Sequence, residues 1–291
     1  MSTTVLDRPP KLGPLYRAAV LRRSVGDTLP DRELRLDGVS VDRAHLAEYD
    51  RVCGFRLADA LPATYPHVLA FPLAMAVMTA ADFPLPPLGL VHVANRVDLL
   101  RPLRAADTLS LSVRAEALRP HPRGTQLDVV ATASVDGVPA WRGRSTYLRR
   151  EGHPGDTSDR SEATVAANAV WRVPRRTATD YARVSGDRNP IHTSRLLARA
   201  FGFRSTIAHG MWTKARCLAA LEGRLPDVYT VRVAFKRPIL LPAAVGFSAA
   251  AGGGGGRWGV AVHDRRTGSP HLTGSIVDLD CADPDEGDRA D

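Results

Sequence analysis

The sequence predicts an α+β fold that is built twice along one chain. Two stretches of the first half return in the second: YDRVCGF at 49–55 aligns without gaps on YARVSGD at 181–187, and LLRPLRAADTLSLS at 99–112 aligns on FKRPILLPAAVGFS at 235–248. The two offsets, 132 and 136 residues, are nearly equal, so both halves follow one order of elements. In each half an apolar helix precedes several alternating strands, which predicts a buried helix beside a curved antiparallel sheet.

Helices and strands follow from the spacing of the apolar residues. FPLAMAVM at 71–78 and MWTKARCLAAL at 211–221 have helical spacing and few charges or none, so both helices are expected to be largely buried. Strands are predicted for LVHVANRVDL, TLSLSVRAEAL, TQLDVVATASV, WRGRSTYL, VYTVRVAF, AAVGFSAA and HLTGSIVDL. Asp-Gly at 37–38 and at 136–137 lies between β-rich segments and favours a hairpin turn at both places.

Changes in composition divide the chain into four parts. The polar, acidic stretch EGHPGDTSDRSEATVAAN predicts a linker at 151–168 between an N-terminal unit at 1–150 and a C-terminal unit at 169–281. An acidic tail follows at 282–291. The five glycines at 252–256 are expected to form a turn between strands, because no Lys-Ser/Thr follows them as in a phosphate-binding loop.

The positive charge of the chain comes mostly from arginine. The net charge is +8 and only Lys11, Lys214 and Lys236 are lysines. The arginines are scattered and no nucleic-acid-binding motif accompanies them, so no nucleic-acid partner is expected. Genome composition alone could explain this bias. A phosphate-bearing small molecule or an acidic carrier protein is the other partner that such a surface would suit.

The cysteines and the apolar segments bear on the compartment. Cys53, Cys217 and Cys281 are odd in number and lack CxxC spacing, which argues against a disulfide framework and against a cysteine zinc site. The N-terminus has no apolar run typical of a signal peptide, and no segment approaches the roughly 20 apolar residues of a membrane span. A cytoplasmic protein without a membrane partner is expected.

The stretch SGDRNPIH gathers the side chains best suited to acid/base chemistry. Pro190 can start a helical turn, so Asp187 lies just before that turn, His192 lies within it, and both can face one cleft. A turn of this composition is also typical of an ordinary helix cap or surface loop. The first half has Phe55 in place of Asp187, which suggests that one half reacts while the other holds an apolar ligand.

A second polar element, IAHGM at 207–211, opens the helix of the second half. Gly210 leaves free backbone N–H groups at the positive end of the helix dipole, which suits a carbonyl oxygen that gains negative charge. Without HxH, HxxxH or HExxH spacing no metal is expected, and without a GxSxG turn Ser185 is not expected to be a nucleophile. No cofactor is expected. His67 and His92 of the first half are expected to be structural.

The stretch YARVSGDRNPIHTSRLLARAFGFRSTIAHGM resembles the hydratase motif of the MaoC-like dehydratases, the (R)-specific enoyl-thioester hydratase family. The matching parts are A-x-x-S-G-D-x-N-P-x-H, A-x-x-x-G-F and I-A-H-G-M. This family implies a hot-dog fold, and two copies in one chain imply a double hot-dog. TYPHVLAFPLAMAVM and LGLVHVANRVDLLRP resemble the degenerate N-terminal copy of actinobacterial 3-hydroxyacyl-thioester dehydratases. The unit at 1–150 would then bind the acyl group, and the unit at 169–281 would be catalytic.

The resemblance also implies a reaction and roles for single residues. Asp187 and His192 would be the catalytic pair, and the amide of Asn189 would help to orient the water. The backbone N–H of Gly210 would bind the thioester carbonyl. Substrate contacts are expected from Ser185, His209 and Met211. The implied reaction is reversible syn addition of water to a trans-2-enoyl thioester of coenzyme A or acyl carrier protein, which gives the (3R)-hydroxyacyl thioester.

Two other functions remain open, because hot-dog proteins also include thioesterases and acyl-thioester sensors. The SGDxNPxH match argues against the thioesterase, and the chain has no segment left for a sensor's partner-binding domain. The expected assembly is a monomeric pseudo-dimer or a homodimer. The second helix departs from many relatives at Trp212, Lys214 and Arg216, which leaves the preferred acyl-chain length open.

Overall fold

The computed structural model describes residues 1–21, 26–150, 167–252 and 256–279. The first half contains β1 (Ser2–Leu6), α1 (Leu12–Leu21), β2 (Arg32–Val39), α2 (Arg43–Cys53), α3 (Tyr65–Met78), β3 (Leu90–Leu99), β4 (Leu109–His121), β5 (Gly124–Val135) and β6 (Val138–Arg150). The second half contains β7 (Ala169–Val173), α4 (Arg176–Ser185), α5 (Pro190–Thr193), α6 (Arg195–Ala200), α7 (Gly210–Ala220), β8 (Tyr229–Phe235), β9 (Ala243–Ala251), β10 (Arg257–Asp264) and β11 (Pro270–Asp278).

All described strands join one 11-stranded sheet in the order β1-β2-β4-β5-β6-β3-β8-β11-β10-β9-β7. The halves have the same internal order, β2-β4-β5-β6-β3 in the first and β7-β9-β10-β11-β8 in the second. They meet where β3 pairs antiparallel with β8, and at this seam Arg96 lies opposite Arg232. These two arginines are separated by the same 136 residues as the later sequence repeat. The repeat is therefore arranged about an approximate two-fold axis at the seam.

The two apolar helices are buried against this sheet, as predicted. In α3 ten of the fourteen residues are buried, and in α7 seven of the eleven are. Helix α3 begins at Tyr65, six residues before the predicted start, and α7 begins at Gly210, one residue early. All seven predicted strands are present. The α+β architecture is confirmed.

One of the two predicted hairpin turns is wrong. Asp136 and Gly137 have φ values of 51° and 79° and join β5 to β6, as the two-residue hairpin requires. Gly38 also has a positive φ, 70°, but it lies inside β2, where the pairing with β4 shifts between Leu36 and Val39. Asp37-Gly38 therefore forms a bulge, because the chain after β2 leads into helix α2 and not into a second strand.

Several predicted features fall wholly or partly outside the described residues. They are most of the linker at 151–168, the acidic tail at 282–291 and the central glycines of the run at 252–256. The division at the linker stays a prediction. The ends of the glycine run are described: the N–H of Gly252 donates to the carbonyl of Arg257, and β9 pairs with β10 on either side. Among the described helices, none combines the length and apolarity of a membrane span.

Candidate active site

Local sequence rules shape the turn between α4 and α5. Gly186 ends α4 in the left-handed conformation, with φ 74°, and its N–H donates to the carbonyl of Ala182. Asn189 then caps α5 by accepting a hydrogen bond from the N–H of Ile191, and Pro190 occupies the first helical position. Asp187 is thus held between a helix end and a helix start. The segment 185–189 is called the catalytic turn below.

Backbone groups of the catalytic turn fix Asp187. Its Oδ1 accepts from the N–H of Asn189 at 3.2 Å, and its own N–H donates to Ser185 Oγ at 3.2 Å. The Ser185 hydroxyl in turn donates to the carbonyl of Tyr181 at 2.7 Å. The Asp187 side chain remains 31% exposed. Ser185 therefore braces the turn, and its expected contact with substrate stays a prediction.

Two histidines stack beside this carboxylate. The rings of His192 and His209 have centroids 3.6 Å apart. His192 Nδ1 lies 2.8 Å from the carbonyl of Ile207, and His209 Nε2 lies 2.9 Å from the carbonyl of Asp187. A carbonyl only accepts, so both of these nitrogens carry hydrogen. His192 Nε2 is then left unprotonated in the neutral ring, as is the buried His209 Nδ1, which has no hydrogen-bond partner in the described part of the chain.

The surroundings of Asp187, His192 and His209 set the protonation states of these three side chains at neutral pH. Burial alone would raise the pKa of Asp187, but the imidazoles of His209 and His192 and the N–H of Asn189 outweigh it, so the pKa is lowered. Burial lowers the pKa of His192 despite the nearby Asp187 charge. Burial, together with His192, lowers the pKa of His209 to about 3. Asp187 is therefore anionic and both imidazoles are neutral.

The start of α7 faces the same space. Gly210 follows the N-cap residue His209, whose side chain does not cap the helix, so the first backbone N–H groups lie at the positive end of the dipole. A Cβ at Gly210 would approach Cε1 of Phe235 to 2.9 Å. Only glycine therefore lets this backbone approach the aromatic ring so closely.

A cavity of about 600 Å³ joins these elements. Every residue that the sequence predicted for the site lines it: Ser185, Asp187, Asn189, His192, His209, Gly210 and Met211. The first half supplies the facing wall, with Phe71 and Leu90 and also with polar side chains, His67, His92 and Tyr147. The expectation that His67 and His92 are structural is thus incomplete, since both line the cavity.

Basic side chains also reach the cavity. Arg123 and Arg150 come from the first half, and Lys236 and Arg237 follow β8 in the second. All four are exposed, so they lie where the cavity opens to solvent. The sequence suggested a phosphate-bearing partner for the arginines but not which of them would bind it, because that depends on how the two halves pair.

The site contains one group of side chains with metal-ligand spacing. Asp187, His192 and His209 offer ligand atoms within 4.8 Å of one another. Backbone carbonyls already engage one nitrogen of each ring. The expectation of a site without metal stays a prediction.

Tyr16 is a residue near the site that the sequence analysis missed. Tyr16 on α1 places its hydroxyl 3.0 Å from the carbonyl of Gly186 and 3.5 Å from Asp187 Oδ1. The signal was present in the sequence, since Leu12, Leu15, Tyr16 and Ala19 have the i, i+3, i+4, i+7 spacing of an amphipathic helix. Its contact with the catalytic turn, 170 residues away, had no local signal.

The two-copy fold and this site define a MaoC-like dehydratase, and the chain belongs to that family. The family model for the MaoC like domain matches residues 151–268. Among curated proteins, 3-hydroxyacyl-thioester dehydratase X of Mycobacterium tuberculosis is 37% identical over 284 residues, which cover 94% of this chain and 100% of the relative.

Solved structures agree with the fold. The crystal structure of HtdX of Mycobacterium tuberculosis aligns with a TM-score of 0.77 at 37% identity and covers 85% of this chain and 100% of its own. A MaoC-like dehydratase from Phytophthora capsici aligns with a TM-score of 0.70 at 19% identity, over 86% and 96% of the two chains, which supports the fold alone. The predicted double hot-dog class is confirmed.

Proposed function

We propose that this protein is a hydro-lyase that reversibly adds water to trans-2-enoyl thioesters and gives (3R)-hydroxyacyl thioesters in fatty-acid metabolism. The observation that carries the proposal is that Asp187, His192 and Gly210 line one cavity. The lowered pKa values of Asp187 and His192 support it, since they leave the carboxylate ionised and the imidazole neutral. The similarity to a 3-hydroxyacyl-thioester dehydratase along almost the whole chain supports it.

The protonation states of the pair suggest how the protons move. Asp187 is ionised, and the one N–H of the His192 ring is engaged by Ile207, so neither group holds a proton to give. The pair can only take a proton from a water bound between them, as the hydroxyl oxygen forms its bond to the β-carbon. The same proton is then delivered to the α-carbon. Because it returns from the face on which the water was bound, the addition is syn.

The charge that forms between these steps lies on the thioester oxygen. Addition at the β-carbon moves an electron pair through the double bond to the carbonyl, which becomes enolate-like. The N–H of Gly210, at the positive end of α7, is placed to donate to that oxygen. Asn189, fixed as the cap of α5, orients the water without exchanging a proton. His209 braces the turn through the carbonyl of Asp187.

The cavity lining suggests how the substrate lies. The acyl group would lie against the wall from the N-terminal unit at 1–150, where Phe71 and Leu90 are apolar. The phosphates of coenzyme A, or of the carrier arm of acyl carrier protein, would lie near Lys236 and Arg237. The protein would work in the cytoplasm, as a monomer that mimics a dimer or as a homodimer. Cys53 and Cys217 are free and buried, in keeping with a reducing compartment.

Two alternatives fit the site less well. A thioesterase needs a carboxylate that directs water at the thioester carbon. Here Asp187 and a base, His192, lie on either side of one turn, and both line the cavity. A sensor that only binds acyl thioesters has no use for a cavity-facing Asp187 that is kept ionised.

The test is a product assay with enoyl-coenzyme A substrates from short to long chain. We expect the enoyl absorbance to fall without release of free thiol, and the product to have the 3R configuration. Thiol release from the same substrates would instead support the thioesterase. Tight binding with no change in either signal would support the sensor.

A further inference from the structure

Helix α1 reaches the catalytic turn from outside the repeated units. The repeats begin at the equivalent strands β2 and β7, so α1 has no counterpart in the repeat pattern. Its Leu12 packs against the turn so closely that a Cβ on Gly186 would come within 2.5 Å of Leu12 Cδ1. Its Tyr16 makes the polar contacts. The segment therefore belongs to the active site although it lies some 170 residues away in the sequence.

The hydroxyl of Tyr16 bridges both sides of Asp187. It accepts the N–H of Arg188 at 2.7 Å and donates towards the carbonyl of Gly186 at 3.0 Å, with Asp187 Oδ1 at 3.5 Å as its alternative acceptor. Burial, followed by the Asp187 charge, raises the pKa of Tyr16 above its usual range, so the hydroxyl keeps its proton. The contacts fix the peptide groups before and after the carboxylate.

We propose that Tyr16 is a positioning residue, whose hydroxyl holds the catalytic turn so that Asp187 faces His192 and the bound water. The inference rests on the proposed function, because it takes Asp187 as one of the two reacting groups. When the hydroxyl donates to its alternative acceptor Oδ1, it also stabilises the anion, so removing the hydroxyl makes the carboxylate easier to protonate.

Tyr16→Phe tests this role, since it removes only the hydroxyl. We expect kcat for hydration to fall about 3- to 30-fold, as for the loss of one or two neutral hydrogen bonds, with little change in KM. The acidic limb of the kcat profile should move to higher pH. Tyr229→Phe is the matched control, because Tyr229 is a buried tyrosine of β8 that does not line the cavity, and its profile should equal that of the wild type.

The outcomes separate this inference from the proposed function. If Asp187→Asn is inactive while Tyr16→Phe matches the wild type, the positioning role is overturned and the hydratase assignment stands. A lower kcat with an unmoved acidic limb and a lower melting temperature would show that Tyr16 only stabilises the fold. Full activity of Asp187→Asn would overturn the proposed function itself.

A small apolar pocket carries a second inference about α1. A cavity of about 70 Å³ lies between α1 and α3 and shares Asp187 and Asn189 with the main cavity. Its apolar walls include Ala19 of α1 and Met75 and Met78 of α3. We infer that this pocket receives the far end of the acyl chain and that Ala19 limits the chain length, again on the basis of the proposed function.

Ala19→Leu should fill much of this pocket. The ratio of kcat/KM for an eight-carbon to a four-carbon enoyl thioester should fall at least 10-fold, because a clash worth one or two methylene groups discriminates by that much. Val20→Leu, next on the same helix but 65% exposed, is the control and should leave the ratio unchanged. An unchanged ratio in a folded Ala19→Leu would show that the acyl chain lies elsewhere.

Discussion

At the scale of single residues, the site depends on a carboxylate that stays charged in a largely enclosed place. Asp187 lies beside two imidazoles and accepts a backbone N–H, and these groups outweigh the cost of its burial. His192 is held neutral by burial, with its hydrogen on the nitrogen that faces Ile207. The two side chains are therefore both bases at rest, which is what the transfer of one proton from water to carbon requires.

Asp187→Asn and His192→Gln should each leave a folded enzyme and lower kcat by at least about 100-fold. General acid–base catalysis contributes about 10²–10⁴-fold, and both changes keep size and polarity. The double variant should be little worse than the worse single one, because the residues act as a unit. Rates of hydration and melting temperatures check this. If Asp187→Asn kept its rate while its melting temperature fell, the turn would be a helix cap and nothing more.

Activity should persist well into mildly acidic solution. The pKa values of His192 and Asp187 are both lowered, so the reactive state, with neutral His192 and ionised Asp187, is complete at neutral pH. As pH falls, protonation of either group removes a base, and the acidic limb of kcat/KM should lie below the ordinary histidine value of about 6.5. A pH profile with half-maximal activity above that value would contradict these protonation states.

His209→Gln is a useful contrast at this scale. The ring of His209 donates to the carbonyl of Asp187, and we expect it to take no part in the proton transfer. Glutamine can replace that donor, so the loss of kcat should be clearly smaller than for His192→Gln.

At the scale of elements, the start of α7 places a backbone donor where a side chain could not fit. Gly210 is confined by the ring of Phe235, the last residue of β8. A sheet strand thus sets how far the helix N-terminus can enter the cavity.

Gly210→Ala should lower kcat/KM by about 10²-fold, because its Cβ would meet Phe235 at 2.9 Å and displace the N–H proposed to stabilise the oxyanion. Adding Phe235→Leu should restore part of the loss by making room for the methyl group. Steady-state kinetics of both variants test the geometry. No recovery in the folded double variant would mean that the Phe235 contact is not the cause.

How far the sequence could predict these elements depends on whether their signals are local. The turn from Ser185 to His192, the buried helix α7 and the strands have their patterns within one segment, so they could be read directly. His67 and His92 reach the cavity, and Tyr16 reaches the catalytic turn, only through the pairing of distant segments, which nothing in the local sequence indicates. Asp37-Gly38 was misread because the same dipeptide also suits a bulge.

At the scale of the whole molecule, α7 ties the two halves together. Trp212 Nε1 donates to the carbonyl of Val52 at 3.0 Å, and Arg216 Nη1 lies 3.5 Å from the carbonyl of Gly54. Between them, the fully buried Lys214 donates to Asn95 Oδ1 at 2.5 Å, on the central strand β3. Trp212, Lys214 and Arg216 of this helix thus all bond to the first half.

Lys214 should make the stability of the protein depend on pH. Burial lowers its pKa well below the usual value, so between the two values the unfolded chain binds a proton that the folded chain lacks. Stability from this group therefore rises with pH in that window. Between about pH 7 and about pH 9, the free energy of unfolding measured in urea should rise by up to about 1.4 kcal/mol per pH unit for the wild type relative to Lys214→Met. A difference that does not change with pH would show that Lys214 stays charged.

The basic mouth of the cavity should make substrate binding sensitive to salt. KM for an enoyl-coenzyme A should rise with ionic strength while kcat changes little, since exposed charges attract phosphates through a screened field. Lys236→Gln with Arg237→Gln should weaken this dependence. A thioester of the same acyl group without phosphates is the control. A KM for enoyl-coenzyme A that does not change with ionic strength would mean that these basic side chains do not bind the phosphates of the substrate.

The seam at which Arg96 faces Arg232 has a consequence for how such an enzyme evolves. In a dimer of identical subunits every substitution appears on both sides of the axis. A change that widens the wall of the substrate cavity in one subunit therefore also alters the subunit that supplies the catalytic residues. Here the two sides are encoded separately. With the proposed acyl-binding wall on α3 and α1, a mutation there would change which acyl chains are accepted and leave the segment with Asp187 and His192 unaltered. Selection could then act on substrate range and on chemistry one at a time.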